Sequence, residues 1–249
     1  MEKEANRYIL KGWCYMDKGE LLYEGKAKKI YATTSQERVL VEFKDDATAF
    51  DGLKKEKISS KGSLNNSIST IFFELLEREG VATHFLYKLS ATEMLAKKLE
   101  IIPVEVIVRN FAAGSLSKRL GLEEGKELGF PVLEFCLKDD DLHDPMLNHY
   151  HIYAMELATP LEMQTIEKRA LRINEILQPF LQDNGLQLID FKLEFGRFQG
   201  EIILGDEITP DTCRFWDTGN GRKLDKDLFR NDSGDLTEAY REILHRLKT

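Results

Sequence analysis

Two acids twelve positions apart, Glu194 and Asp206, are the residues whose placement points most directly to chemistry. Over residues 187–195 the side chains alternate, with Asp190, Lys192 and Glu194 on one face and Ile189, Phe191, Leu193 and Phe195 on the other, the two-residue period of a half-buried strand. A second apolar run, residues 201–208, follows Gln199-Gly200, a pair suited to a tight hairpin. With the turn centred on Gly200, Phe198 faces Ile202, Gly196 faces Leu204 and Glu194 faces Asp206. Carboxylates opposed on neighbouring strands have their side-chain roots about 5 Å apart and repel unless something positive lies between them. An all-oxygen pair suits Mg²⁺, which takes one or two carboxylates and completes its shell with water and phosphate oxygens, so a nucleotide is implied. The reading depends on register, because a slip of one residue would put the acids on opposite faces.

Phosphate-suited residues recur elsewhere. In EGKAKK, Gly25 stands among Lys26, Lys28 and Lys29, where a glycine admits close approach and the lysines supply charge, although lysines also serve simply to blunt a sheet edge. The run IIPVEVIVRN reads as a strand that delivers Arg109 and Asn110 to its end, and Gly114-Ser115 follows at the start of a helical turn, which together make an anion site. Adding Lys192, Arg214 and Arg230 gives more positive charge than one triphosphate requires, hence two anionic ligands, a nucleotide and a phosphorylated substrate. No Ser-His-Asp set, catalytic cysteine spacing or GxxxxGK[ST] loop is present, which argues against covalent catalysis and P-loop hydrolysis. The pattern His149-x-His151 lacks a third ligand and reads as solvated or capping histidines.

The elements that must position these groups follow from periodicity. Residues 21–32 and 39–44 read as β-rich runs forming a hairpin, and residues 44–62 as a long polar loop of the binding or lid kind. A core helix over residues 64–79 buries Leu64, Ile68, Ile71, Phe72, Leu75 and Leu76 and stops at Gly80. Ser90 and Glu93 look like a capping box for a short helix, MLAKKL. Residues 134–150 are the expected hinge between two lobes. A helix begins at Thr159-Pro160-x-Glu162, buries Met163, Ile166, Ala170, Ile173, Leu177 and Leu181, and runs to about residue 183 with Pro179 near its end. Residues 211–232 read as a glycine-containing loop between Arg214 and Arg230, and a final helix capped by Asp235 closes the chain.

At 249 residues the chain can bury a substantial core, as one large domain or two lobes around a cleft. Net charge of −8 with 42% hydrophobic residues describes an acidic soluble protein, against bulk nucleic-acid binding but not against a local basic pocket. Neither a membrane-spanning run nor a signal-peptide core is visible, so the expected location is the cytoplasm, without nucleic-acid or membrane partners. Cys14, Cys136 and Cys213 have no pairing or zinc spacing and are read as reduced. Residues 1–19 carry Tyr8, Ile9, Trp13 and Tyr15, too apolar for a free tail, and should pack on the domain or on another subunit.

The segments EGKAKKIY, DGLKKEKISSKGSLNN, KLSATEMLAKKLEIIPVEVIVRNFAAGSLSKRLG, HDPM, LIDFKLEFG, GDEITPD with RFWD, and DKDLFR together resemble the phosphoribosylaminoimidazole-succinocarboxamide synthase (SAICAR synthetase) family of purine biosynthesis, in the family's own order over residues 20–247. The resemblance implies an α+β fold of two lobes related to the ATP-grasp enzymes, with antiparallel sheets, packed helices and a cleft between the lobes. It divides the chain into an extension (1–19), an N-terminal lobe (20–135) and a C-terminal lobe (136–249). It implies ATP-dependent ligation of L-aspartate to carboxyaminoimidazole ribotide (CAIR) through an acyl phosphate, with Mg²⁺, and a homo-oligomer, a dimer. Residue by residue it assigns Lys26, Ala27 and Lys28 to the hairpin over the ATP phosphates, Lys138 to the nucleotide, and Glu194 and Asp206 to Mg²⁺. Arg109, Ser115 and Arg214 would hold CAIR, while Asp51, Asp190, Lys192 and Arg230 would line the place where its carboxylate meets ATP. The competing expectation is a small-molecule kinase of the same fold that passes phosphate to a hydroxyl.

Overall fold

Gln199 and Gly200 both adopt left-handed backbone (φ 50° and 84°), so the central hairpin closes through a two-residue turn, whose twist matches that of the strands it joins. The flanking strands are β13 (Leu186–Phe198) and β14 (Glu201–Leu204), with Phe198 opposite Glu201 and Phe195 opposite Leu204. This corrects the expected register by one residue: Glu194 stands beside Gly205, whose N–H donates to its carbonyl at 2.9 Å, not beside Asp206. Asp206 lies past the end of β14 in left-handed backbone (φ 56°). That unusual conformation for a non-glycine residue takes it out of the strand's alternation and lets its side chain reach the cleft that Glu194 faces.

The computed structural model describes residues 7–9, 15–49 and 53–248. In chain order the remaining strands are β1 (Arg7–Ile9), β2 (Tyr15–Asp17), β3 (Leu21–Glu24), β4 (Lys28–Ala32), β5 (Arg38–Phe43), β6 (Asp46–Ala49), β7 (Lys54–Lys57), β8 (Phe85–Lys88), β9 (Glu93–Lys97), β10 (Glu100–Phe111), β11 (Glu127–Leu137), β12 (Met146–Leu147) and β15 (Cys213–Asp217). The helices are α1 (Lys61–Arg78), α2 (Gly114–Leu120), α3 (His149–Ala154), α4 (Pro160–Asp183), α5 (Asp227–Arg230) and α6 (Leu236–Arg246). One antiparallel sheet has the order β3-β4-β5-β9-β8, and a second runs β12-β11-β10-β13-β14 with β15 also on β13. Strand β13 is long enough to pair with β10 on one side and with β15 and then β14 on the other.

Several expectations give way to tertiary pairing. Four of the six residues read as a capped helix, residues 94–97, lie in β9, hydrogen-bonded between β5 and β8, and the last two leave the sheet. Ser90 Oγ does accept the Glu93 N–H at 3.2 Å, but this turn opens onto a strand whose Met94, Leu95 and Ala96 are all buried, so both faces must be covered. The polar segment 44–62 contains the β6–β7 hairpin. The supposed loop after residue 211 supplies β15, which buries Cys213 and Phe215 and turns Arg214 into the cleft. The lobe boundary expected at residue 135 falls inside β11, and β10 pairs with β13, so strands assigned to the first lobe share a sheet with the second. The short link between the sheets is Lys98-Leu99, not residues 134–150.

The helices were more legible. All six expected apolar residues of α4 are buried, and its Thr159–Glu162 capping box is present, with Thr159 N–H donating to Glu162 at 2.8 Å. Phe72 of α1 meets Phe180 of α4 and Phe215 of β15 at ring separations of 6.3 and 6.0 Å, joining helices and sheet in one core. His151 acts as a capping residue, its Nδ1 accepting from Asn148 N–H at 3.2 Å. Cys136 and Cys213 are free thiols in the interior, and Cys14 lies outside the described residues. Among the described residues no helix is long and apolar enough to cross a membrane.

Candidate active site

The β10–β13 register builds the centre of the site. It sets Arg109 directly opposite Asp190 and Glu105 directly opposite Glu194, with Lys192 between them on the same face of β13. Lys192 Nζ donates to Glu105 and to Glu194, each at 2.6 Å. Two facing carboxylates bridged by a cation do therefore occur here, but the partner of Glu194 across the ladder is Glu105, which the sequence reading did not single out. The signal was available: Glu105, Ile107 and Arg109 share one face of an alternating strand.

This face lines a cleft of about 720 Å³ between the two sheets. Lys26, Ala27, Lys28, Arg109, Ser115, Lys138, Asp190, Lys192, Glu194, Asp206, Arg214 and Arg230 all line it, gathered from across the chain. Of the expected site residues only Asp51 lies outside the described residues. Gly25 forms part of the β3–β4 turn, which carries Lys26 and Ala27 over the cleft and donates its N–H to the Lys28 carbonyl at 2.9 Å.

Three regions differ in chemistry. One end is apolar, lined by Leu22, Ile30, Val39, Val41, Leu99 and Ile101, and suits a flat base. The middle is an alternation of acids and lysines. Lys138 Nζ donates to Glu194 at 2.8 Å, and Lys28 pairs with Asp206 and lies 3.5 Å from Glu207. Burial disfavours the charge on each partner here, yet the Lys28 and Lys192 ammonium groups sit above their usual range because carboxylates surround them. Asp206 is held below its usual range against burial by Lys28, Lys192 and Lys138. His84, buried beside Lys28, is pushed down to about 4 by desolvation and by that lysine, so it is neutral at physiological pH.

The far end is an arginine cage. Asp190 accepts from Arg109 at 2.8 Å and from Arg214 at 2.9 Å. Arg109 also reaches Glu134 at 2.7 Å and Ser115 Oγ at 3.0 Å. Asp227 holds Arg214 at 2.8 Å and Arg230 at 2.6 Å, and these arginines keep it down at about 2 although burial alone would raise it. Gly114 is required for this packing, since a Cβ there would lie 2.5 Å from Arg214 Nη2. Because both Asp190 oxygens are occupied by arginines, its evident task is to aim them.

Glu194 is 2% exposed, and it and Asp206 offer carboxylate oxygens only, the donor chemistry of a hard divalent cation that takes its other ligands from phosphate and water. Among the described residues no group of three or more acids, histidines or cysteines is placed to hold a metal ion.

An apolar end, a lysine–carboxylate centre and an arginine end along one cleft between antiparallel sheets define an enzyme that couples a nucleotide to a second anionic substrate. The SAICAR synthetase family model matches residues 21–247, and the chain belongs to that family. It is 58% identical over 233 residues to the phosphoribosylaminoimidazole-succinocarboxamide synthase of Coprothermobacter proteolyticus, covering 93% of this chain and 99% of that one. The crystal structure of the corresponding synthase from Ehrlichia chaffeensis superposes with a TM-score of 0.91 at 44% identity, covering 92% of this chain and 98% of that one. A SAICAR synthetase in complex with ADP superposes with a TM-score of 0.89 at 52% identity, over 92% and 97% of the two chains.

Proposed function

We propose that this protein ligates L-aspartate to the carboxylate of CAIR at the expense of ATP, with Mg²⁺ held by Glu194 and Asp206. The observation that carries the reading is the face of β13, on which Asp190, Lys192 and Glu194 line one cleft in succession. Four residues of strand span about 13 Å, which separates the arginine cage at Asp190 from the acid–lysine centre at Glu194 along one face. CAIR placed with its phosphate on Arg109, Arg214 and Ser115 presents its carboxylate to the middle of the cleft. ATP placed with its base at the apolar end and its phosphates under Lys26, Ala27 and Lys28 presents the γ-phosphate to the same place.

A carboxylate is a poor acyl donor because expelling oxide is prohibitive. Attack of a CAIR carboxylate oxygen on the γ-phosphorus breaks the bond to ADP and leaves an acyl phosphate. Lys28, Lys138 and Lys192 neutralise the charge that spreads over the transferred oxygens, and the catalytic work is positioning and electrostatics. Bound Mg²⁺ supplies a further positive charge that orients the phosphate oxygens. The aspartate amine then attacks the acyl carbon, the bond to phosphate breaks, and the amine proton leaves to a base. Asp51 is the candidate for that base, since Asp190 is committed to Arg109 and Arg214.

The test is ADP release and amide formation from ATP and CAIR with and without aspartate. A ligase forms amide only with the amine present. A kinase acting on a hydroxyl, the alternative weighed from sequence, would release ADP without forming amide, and that outcome would overturn the reading. The expected dimer and the cytoplasmic location remain part of the same proposal, checked by sizing in solution and by cell fractionation.

A further inference from the structure

Lys28 stands beside two consecutive acids and bonds to one of them. Its ammonium group donates to Asp206 and lies 3.5 Å from Glu207 Oε1, too far for a full hydrogen bond. The second oxygen of Glu207, Oε2, is buried and has no hydrogen-bond partner among the described residues. The two acids are held differently. Asp206 has 18% of its side chain exposed and reaches the cleft from left-handed backbone, whereas the Glu207 side chain is 4% exposed. The backbone around Glu207 is tied down: its carbonyl accepts from Thr212 Oγ1 at 3.4 Å, and the N–H of the next residue, the fully buried Ile208, donates to Ser69 Oγ of α1 at 3.3 Å. The other charges that face Glu207 do not complete it. Asp206 and Asp211 repel it, and Lys61 attracts it but is paired with Asp211. His84, the other polar neighbour of Lys28, is neutral. A covered carboxylate with one oxygen unmatched is costly, and a fold retains it most readily where another state of the site completes it.

The nucleotide-loaded cleft is such a state. With Asp206 giving its oxygens to Mg²⁺, that carboxylate no longer holds the lysine, and Lys28 loses its partner when the charge of the triphosphate has to be met. We propose that Glu207 is the positioning residue for Lys28: as Asp206 turns to the cation, the ammonium group passes to Glu207 and is held there against the ATP phosphates. The proposal rests on the metal assignment made above and gives Glu207 no contact with any substrate. The exchange needs little movement, because a shift of about 0.7 Å turns the 3.5 Å separation into a charge-assisted hydrogen bond of about 2.8 Å. One acid faces the cleft and is free to take a cation, while the other is covered, anchored and already within ion-pair distance of the lysine. The exchange also links metal and nucleotide. Mg²⁺ at Asp206 forms the Lys28–Glu207 pair, that pair strengthens the grip on the phosphates, and by linkage the nucleotide strengthens the binding of the metal to the same extent.

Calorimetric ADP binding to the wild type, Glu207→Gln and Glu207→Asp, each with Mg²⁺ and with a chelator, tests the proposal without relying on turnover. Simple Coulomb repulsion predicts that neutralising an acid near the phosphates tightens ADP binding in both conditions. The exchange of partners gives opposite signs. With chelator Lys28 keeps Asp206, and Glu207→Gln should bind ADP as well as the wild type or slightly better. With Mg²⁺ it should bind roughly tenfold or more weakly, the scale of a lost hydrogen bond between charged groups. Glu207→Asp, which keeps the charge, should recover part of the loss. In an Asp206→Asn background Glu207 is the one acid left within ion-pair distance of Lys28 among the described residues, so Glu207→Gln should there weaken ADP binding by the same factor with and without Mg²⁺. Turnover should show a matching split, with kcat/KM for ATP falling at least tenfold and KM for CAIR staying within about twofold. Equal weakening of ADP binding by the single variant with and without Mg²⁺ would mean that Glu207 only supports the fold, and tighter binding in both would mean that only its charge is felt; either result overturns the proposal and leaves the ligase reading intact. A wild-type protein whose ADP affinity does not respond to Mg²⁺ removes the metal assignment and the exchange together.

Discussion

Replacing Lys192 by methionine should expose how the centre of the site is held together. Its Nζ lies 2.6 Å from an oxygen of Glu105 and 2.6 Å from an oxygen of Glu194, so those two oxygens are at most about 5.2 Å apart. With the ammonium gone, two unit negative charges at that distance repel by roughly 3 kcal/mol at an effective dielectric of about 20. For a chain of this size the melting temperature should fall by roughly 6–12 °C near neutral pH. The sign of the pH dependence follows from Glu105, whose carboxyl burial already pushes up and which loses the opposing pull of Lys192 in the variant. A carboxyl raised in the folded state penalises folding above its folded pKa, and the penalty fades as pH falls and the group takes up a proton. The gap between wild type and Lys192→Met should therefore narrow from pH 8 to pH 5. Adding Glu105→Gln should restore most of the loss at pH 8 by removing one of the charges. Melting curves of the single and double variants at both pH values decide the matter. An equal loss in both variants, independent of pH, would mean that the lysine contributes packing and that the repulsion argument is wrong.

Glu194→Gln and Asp206→Asn should each abolish turnover while leaving the circular-dichroism spectrum unchanged, and normal turnover at saturating Mg²⁺ would reject the metal assignment. Gly114→Ala forces a methyl group into the Arg214 guanidinium and puts alanine at φ 54°, so KM for CAIR should rise about tenfold with KM for ATP little changed, and stability should drop by about 1–2 kcal/mol; equal effects on both substrates would place Arg214 outside the CAIR site. Glu162, which hydrogen-bonds Arg197 at 2.5 Å and caps α4, is held down at about 2 chiefly by that arginine. Its contribution is present above the ordinary carboxylate range and is lost as pH falls toward 2, so Glu162→Gln should lower the melting temperature at pH 7 more than at pH 2.5.

The sequence by itself determined the elements whose period or chemistry is local. The burial face and capping box of α4, the core face of α1 and the Asp235 cap of α6 follow from spacing within one segment, where neighbours along the chain are also neighbours in space. It also determined which residue types could serve phosphate, because a strand that alternates acid, lysine and acid and a lysine-rich glycine turn announce their chemistry wherever they come to lie. Pairing was decided only in three dimensions. That residues 94–97 are strand rather than helix, that Glu105 and not Asp206 faces Glu194 across the ladder, and that β15 delivers Arg214 beside Gly114 all depend on partners dozens of residues away. A hairpin one residue out of register still reads as the same alternating sequence; it took the left-handed turn at Gln199-Gly200 and the left-handed backbone of Asp206 to bring both acids to one cleft.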